Sequence, residues 1–255
     1  VSLGLSLAEV AASFGVRSLR LGGARALTAW ERACWLQDAA QTVLTRTGME
    51  VVAEGDPPRQ GLLVSNHLSY LDVLAYASAM PSVFVAKREV REWPVFGIFA
   101  TMAGTIYVDR ERRAANGGAA ALMEEALAAG VTVVLFPEGT SSDGREVLRF
   151  HSGFFEAAMR ADAAVTAAAI GYSSRTAEEA TLAYHGEDVF GMHLVRTLGQ
   201  RNLEARVAFG TARRYADRKE AARATQAEVE RLRCRVAGRS AIETAAELLP
   251  LTHAQ

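Results

Sequence analysis

His67 and Asp72 lie five residues apart in the stretch Val64-Ser65-Asn66-His67-Leu68-Ser69-Tyr70-Leu71-Asp72. A histidine with a carboxylate partner is the base-and-orienter pair of general-base chemistry. On one continuous helix the two side chains would point roughly 140° apart and could not meet. They can pair only if His67 precedes the helix that carries Asp72. Ser69-x-x-Asp72 reads as a capping box with Ser69 as N-cap and Asp72 at N3. That puts His67 on the turn before the helix, where it can fold back over the helix start. The carboxylate would then take one ring nitrogen and leave the other facing a cleft. No Ser or Cys nucleophile stands nearby, so such a base would activate a hydroxyl on the substrate. The plainer reading is a helix cap beside an ordinary loop histidine, and this stretch alone leaves both open.

Other residues with chemical potential stand at neighbouring strand ends. Arg110 follows the run Gly104-Thr105-Ile106-Tyr107-Val108-Asp109, and its planar fork suits a phosphate. Lys87 follows Ser82-Val83-Phe84-Val85-Ala86 and would add a point charge. Either could equally be half of a surface ion pair. Phe136-Pro137-Glu138-Gly139-Thr140-Ser141 ends another apolar run. Its Gly-permitted turn offers backbone N–H groups to an oxyanion or phosphate, or is a turn with no ligand.

The elements that must position these residues alternate in type. Strands are expected near 49–53, 62–64, 82–86, 104–108, 131–136, 164–172, 180–184 and 205–209. Helices are expected at 17–47, 73–80, before Met102, and at 111–129, 154–160, 188–198 and 218–236. This pattern argues an α/β fold, a central mixed sheet flanked by helices. In open α/β sheets ligands bind outside the carboxyl ends of the strands, where His67, Arg110 and the Glu138 loop converge.

The chain has 255 residues, a formal net charge of −1 and 50% hydrophobic content. That suffices for one sizeable domain. The balance of charge gives no case for nucleic acid as a partner. Cys34 and Cys234 make neither a disulfide framework nor a metal spacing, which reads as a reducing compartment. No apolar run is long enough to span a bilayer, and the start lacks the basic n-region and cleavage site of a signal peptide. No G-x-G-x-x-G follows the first strand, which argues against a dinucleotide enzyme.

Asn66-His67-x-Ser69-x-x-Asp72, Gly104 to Arg110, and Phe136-Pro137-Glu138-Gly139-Thr140 occur in one order. They resemble the first three motifs of the 1-acyl-glycerol-3-phosphate acyltransferase family, the lysophospholipid acyltransferases. Ala86-Lys87-x-Glu89, with Trp93-Pro94 and Gly97, is similar to the segment between the first two. In the fourth motif Thr166 stands where the family usually has proline. The resemblance covers about residues 45 to 215, most of a domain. It implies acyl transfer from an acyl-CoA or acyl carrier protein thioester to the free hydroxyl of a lysolipid, with no other cofactor and no metal. It makes His67 the general base and Asp72 its orienter. Arg110, Glu138 and Gly139 would hold the acceptor's phosphate and glycerol, with Thr140 and Lys87 as further contacts. The leading acceptor is 1-acyl-glycerol-3-phosphate, giving phosphatidic acid. Ser141 stands where many members have Arg, and His151 where many have Lys, which leaves room for a phosphate-free acceptor such as lyso-ornithine lipid. A thioester hydrolase and a non-catalytic lipid-binding module are the competing readings.

A division into residues 1–48, an amphipathic membrane-association segment, and 49–255, the acyltransferase domain, follows. Arg17, Arg20, Arg25, Arg32 and Arg46 outnumber Glu31 and Asp38 in the first segment, beside Trp30 and Trp35. Such a helix can lie in the interface of a bilayer, peripherally on its cytoplasmic face. The alternative is a helix packed on the domain with a solvated basic face.

Overall fold

The computed structural model describes residues 9–16, 27–93, 95–109, 117–200 and 202–248. Seven strands form one sheet in the order β1-β7-β6-β2-β5-β3-β4. They are β1 Glu50–Glu54, β2 Gly61–Ser65, β3 Ser82–Lys87, β4 Ile106–Val108, β5 Thr132–Leu135, β6 Val165–Ser173 and β7 Glu204–Phe209. β2 is central and parallel to both β5 and β6. The antiparallel β6–β7 pair makes the sheet mixed.

The central strands are unbroken apolar runs because both their faces are covered. Leu62, Val64, Val133 and Leu135 point to one face, packed by α5 (Gly117–Ala128), α6 (Glu156–Arg160) and α9 (Arg218–Leu248). Leu63, Val134, Ile170 and Val207 point to the other, toward α2 (Ala29–Thr47), α3 (Leu71–Ala79) and α7 (Glu179–Leu182). α1 spans 9–16. α4 (Phe96–Met102) and α8 (Phe190–Leu198) meet through Phe96 and Phe190.

Three expectations change. The helix expected from residue 17 starts at Ala29, because Thr28 and Glu31 form a complete capping box there; residues 17–26 lie outside the described residues. Gly48, at φ +70°, ends it as expected. Trp35 is not interfacial. It is 2% exposed, edge-on to Phe14, with its indole N–H on Ser13 Oγ at 3.0 Å. Two of the arginines of this segment also serve the fold: Arg32 caps α4 through the Met102 carbonyl at 2.8 Å, and Arg46 pairs with Glu9. Finally, the strand expected over 180–184 is the helical turn α7. A short apolar run without alternation does not distinguish a strand from a buried helical turn. Glu179 on that turn takes the Tyr172 N–H at 2.7 Å and pairs with Arg233.

Candidate active site

His67 stands just past the end of β2, on a turn tied down from several sides. The buried Asn66 side chain bonds both backbone groups of Ile170 on β6, its Nδ2 donating at 3.0 Å and its Oδ1 accepting at 2.9 Å. The His67 N–H donates to Glu138 Oε2 at 3.1 Å, and its carbonyl accepts the Ser142 N–H at 3.0 Å. The Leu68 carbonyl accepts from Tyr184 N–H at 2.8 Å. The imidazole stacks on Phe136, centroids 4.1 Å apart and planes 13° apart.

Asp72 is fully buried and accepts from donors on both oxygens. Its Oδ2 accepts His67 Nδ1–H at 2.6 Å, Leu68 N–H at 2.8 Å and Ser69 N–H at 3.2 Å. Its Oδ1 accepts the Tyr172 hydroxyl. Hydrogen bonds to a carboxylate are among the shorter and stronger ones. Burial, then the Asp72 charge, pushes the Tyr172 phenol well up, so it stays a donor. Because the carboxylate can only accept, Nδ1 carries the ring proton and the Nε2 lone pair is left for the cleft. The ring is 23% exposed on that side.

The capping box read from Ser69 and Asp72 is half made. The acid reaches back to the turn's N–H groups, but α3 starts at Leu71, and the buried Ser69 hydroxyl has no partner among the described residues. Asp72 is therefore cap and histidine partner at once.

His67 lines a mostly apolar cavity of about 350 Å3 that runs between the sheet, α2 and α4. Gly139, Thr140 and Lys87 also line it. Gly139 takes φ +79°, open to glycine at little cost. Its N–H is spent inside the turn on the Phe136 carbonyl at 3.1 Å. Glu138 is placed differently from the expectation of an acceptor contact. It is 4% exposed, and its oxygens take the N–H groups of His67 and Leu148, at 3.1 and 3.0 Å. Burial pushes its carboxyl up to about 8, against those two bonds. Its visible work is to tie the His67 turn to the next loop. Arg110 lies outside the described residues.

Sequence reasoning passed over Tyr172, and named Asn66 and Phe136 only as motif residues, without a role. Tyr172 carried one signal, a phenol near the end of a buried strand, where the hydroxyl must find a partner. His193 is a core histidine: its Nε2–H donates to the Ala183 carbonyl at 3.0 Å, and its Nδ1 accepts from Tyr70 at 3.0 Å. Among the described residues no group of three or more His, Cys, Asp or Glu is placed to hold a metal ion, and no helix is long and apolar enough to cross a membrane.

The profile of the family described as "Acyltransferase" matches residues 44–171. A lyso-ornithine lipid O-acyltransferase of Rhizobium meliloti is 34% identical over 209 residues, 75% of this chain and 72% of that protein. A 1-acyl-sn-glycerol-3-phosphate acyltransferase of Neisseria meningitidis is 32% identical over 163 residues, 64% of each chain. The crystal structure of the 1-acyl-sn-glycerophosphate acyltransferase from Thermotoga maritima superposes with a TM-score of 0.66 over 92% of this chain and 95% of that one, at 20% identity, and so shares the fold. With a histidine held by a buried carboxylate in the lining of an apolar cavity, these similarities make the chain a member of the lysophospholipid acyltransferase family, an acyltransferase of lipid biosynthesis acting on a lysolipid.

Proposed function

We propose that this chain esterifies lyso-ornithine lipid, with His67 as general base and Asp72 as its orienter. The 34% identity to a lyso-ornithine lipid acyltransferase across three quarters of the chain carries the choice of acceptor over lysophosphatidate. Ser141 supports it. Where an Arg would reach toward phosphate, its hydroxyl donates to the Tyr184 carbonyl at 2.5 Å.

In the proposed reaction the acceptor hydroxyl lies against Nε2 of His67. As its oxygen attacks the thioester carbonyl, the proton passes to Nε2, and Asp72 stabilises the resulting imidazolium. The tetrahedral intermediate collapses, the C–S bond breaks, and the imidazolium returns the proton to the leaving thiolate. The products are an ester and a free thiol. No hydrogen bond joins His67 to a Ser or Cys side chain among the described residues, in keeping with direct transfer. Lys87, Thr140 and Gly139 line the cavity and are proposed acceptor contacts; Arg110 is proposed for the acceptor's anionic group. The test is purified chain with acyl-CoA or acyl carrier protein and a panel of lysolipids, read by mass spectrometry. Ornithine lipid should form at least about tenfold faster than phosphatidic acid, the discrimination that one charge-assisted bond provides. A preference for lysophosphatidate would overturn the assignment.

We also propose that the chain meets the cytoplasmic face of a bilayer peripherally, with α4 and α8 joining the N-terminal segment at the surface. Val189 at the N-cap of α8, and Met192 and Val195 within it, are 62–74% exposed at helical spacing, and Ile98 on α4 is 65% exposed. The two helices touch through Phe96 and Phe190, and Leu194 and Leu198 of α8 line the cavity. An apolar rim beside the cavity would let a lysolipid enter without leaving the bilayer. Met192→Asp with Val195→Asp should weaken vesicle co-sedimentation by about tenfold or more, since each buried side chain is worth roughly 1.5–3 kcal/mol. Undiminished binding would place the surface elsewhere.

A further inference from the structure

A second concavity, of about 1070 Å3, opens on the far side of Phe154. Phe154 and Val108 line both it and the cavity that holds His67. Among the described residues its rim carries Arg149, Arg218, Lys219 and Arg223, all exposed, against one carboxylate, Glu156. Glu156 is shared between Arg218 and Arg160, at 3.4 and 3.5 Å. The floor is apolar, built of Met123, Ala119 and Ala222. The proposed transfer chemistry uses none of these cations.

The cleft is a built feature. Lys219, Arg223 and Gln226 recur at i, i+4 and i+7, so they share one face of α9. Gln226 Oε1 accepts the Phe150 N–H at 3.1 Å, which turns that face toward segment 149–154. One residue on, the His151 N–H donates to the Pro137 carbonyl at 3.0 Å. The cations are thus held in fixed relation to the loop that follows β5, one phenylalanine away from the catalytic cavity.

We propose that this cleft binds the 3′-phosphorylated ADP half of coenzyme A, making acyl-CoA the donor; the inference rests on the acyl-transfer reading above. The chemistry fits. A diphosphate and a monophosphate match a rim of guanidinium and ammonium groups, and arginine pairs phosphate oxygens two at a time. An apolar floor under that rim suits a purine. The arm between nucleotide and thioester is long and neutral, so the charges of the donor belong in a compartment apart from His67. A lysolipid head group lies only a few bonds from its reacting hydroxyl and would have to stay on the His67 side of Phe154. A carrier protein presents a convex surface, for which a concave cleft is a poor match. Binding energy from a remote nucleotide can then be used to position the thioester.

The probe is adenosine 3′,5′-bisphosphate, titrated into the full chain by calorimetry, with no acceptor present. Wild type should bind it, more weakly as salt rises. Arg149→Glu with Arg223→Glu should lower the affinity by at least about tenfold. The same variant should lower, by a similar factor, the ratio of kcat/KM for acyl-CoA to that for acyl-pantetheine, a donor without the nucleotide. Lys219→Ala, a truncation at an exposed site, should move both readings the same way by less. Unchanged affinity and ratio would overturn the proposal. So would a rise confined to the acceptor's KM, which would make the cleft an acceptor site, or a loss confined to acyl carrier protein as donor. Bisphosphate binding that depends on these cations, in a chain that acylates no lysolipid, would leave the cleft standing and sink the transfer reading instead.

Discussion

The loops after β2 and β5 leave adjacent parallel strands at the same edge of the sheet, yet they do opposite work. After β2, His67 keeps part of its ring in the cavity and has one nitrogen held by a buried carboxylate. After β5, Glu138 turns inward and spends both oxygens on backbone N–H groups, one of them that of His67 itself. Position at a strand's carboxyl end nominates a residue for chemistry. Exposure and hydrogen-bond partners decide whether it reacts or braces. Here the acid braces the turn that carries the proposed base.

Several substitutions would break or sharpen that contrast. His67→Ala should lower kcat by roughly 10²–10⁴ while leaving the thermal melt nearly unchanged, because the ring's contacts are one stack and one hydrogen bond. Glu138→Ala should do the reverse. It strands two buried N–H groups, each worth about 1–3 kcal/mol, so Tm should drop markedly, and activity should fall only as far as the turn loosens. If Glu138→Ala instead kills activity with a normal melt, Glu138 belongs to the chemistry and the contrast fails. Tyr172→Phe removes one donor from the Asp72 charge. A fall in kcat of about tenfold is expected, with KM little changed.

A pH dependence sharpens the same contrast. The Glu138 carboxyl sits at about 8 in the fold against an ordinary 4.5. Between those values the folded chain holds a proton that the unfolded chain has lost, so this group's contribution to stability falls as pH rises. It is full below about 4.5 and gone above about 8. The difference in Tm between wild type and Glu138→Gln should therefore shift in favour of Gln from pH 5 to pH 8. A difference that does not change with pH would show that Glu138 is ionised throughout.

Much of the catalytic pair was legible in the sequence because it depends on local spacing: five residues, a turn and a helix start force the question of whether His67 and Asp72 meet. The sheet was legible because fully covered strands read as apolar runs. What escaped depends on contacts far along the chain. Tyr172 reaches Asp72 from 100 positions away, and no local pattern announces that. Glu138 read as a ligand contact because its inward turn is set by the N–H groups of His67 and Leu148, which only the fold supplies. Trp35 read as interfacial because amphipathic composition does not say which face is covered; α1 and α4 cover it. Thr28-x-x-Glu31 was a local signal, and it marks the start of α2 more sharply than the run of arginines before it.

The central claim is that Asp72 orients and charges His67 rather than merely capping α3. Asp72→Asn separates the two roles. An Asn oxygen can still accept the Leu68 and Ser69 N–H groups, so as a cap it should cost only a fraction of a kcal/mol to about 1 kcal/mol, with little loss of activity. As orienter, Asn lacks the charge that stabilises the imidazolium and can present its NH2 to Nδ1, selecting the wrong tautomer. The measurement is kcat of Asp72→Asn, of His67→Ala and of the double variant, each with a thermal melt. The account predicts a melt close to wild type, a fall of roughly 10²–10⁴ for Asp72→Asn, and a double variant little worse than either single, because the pair acts as a unit. An Asp72→Asn chain that folds normally and keeps most of its kcat would contradict it.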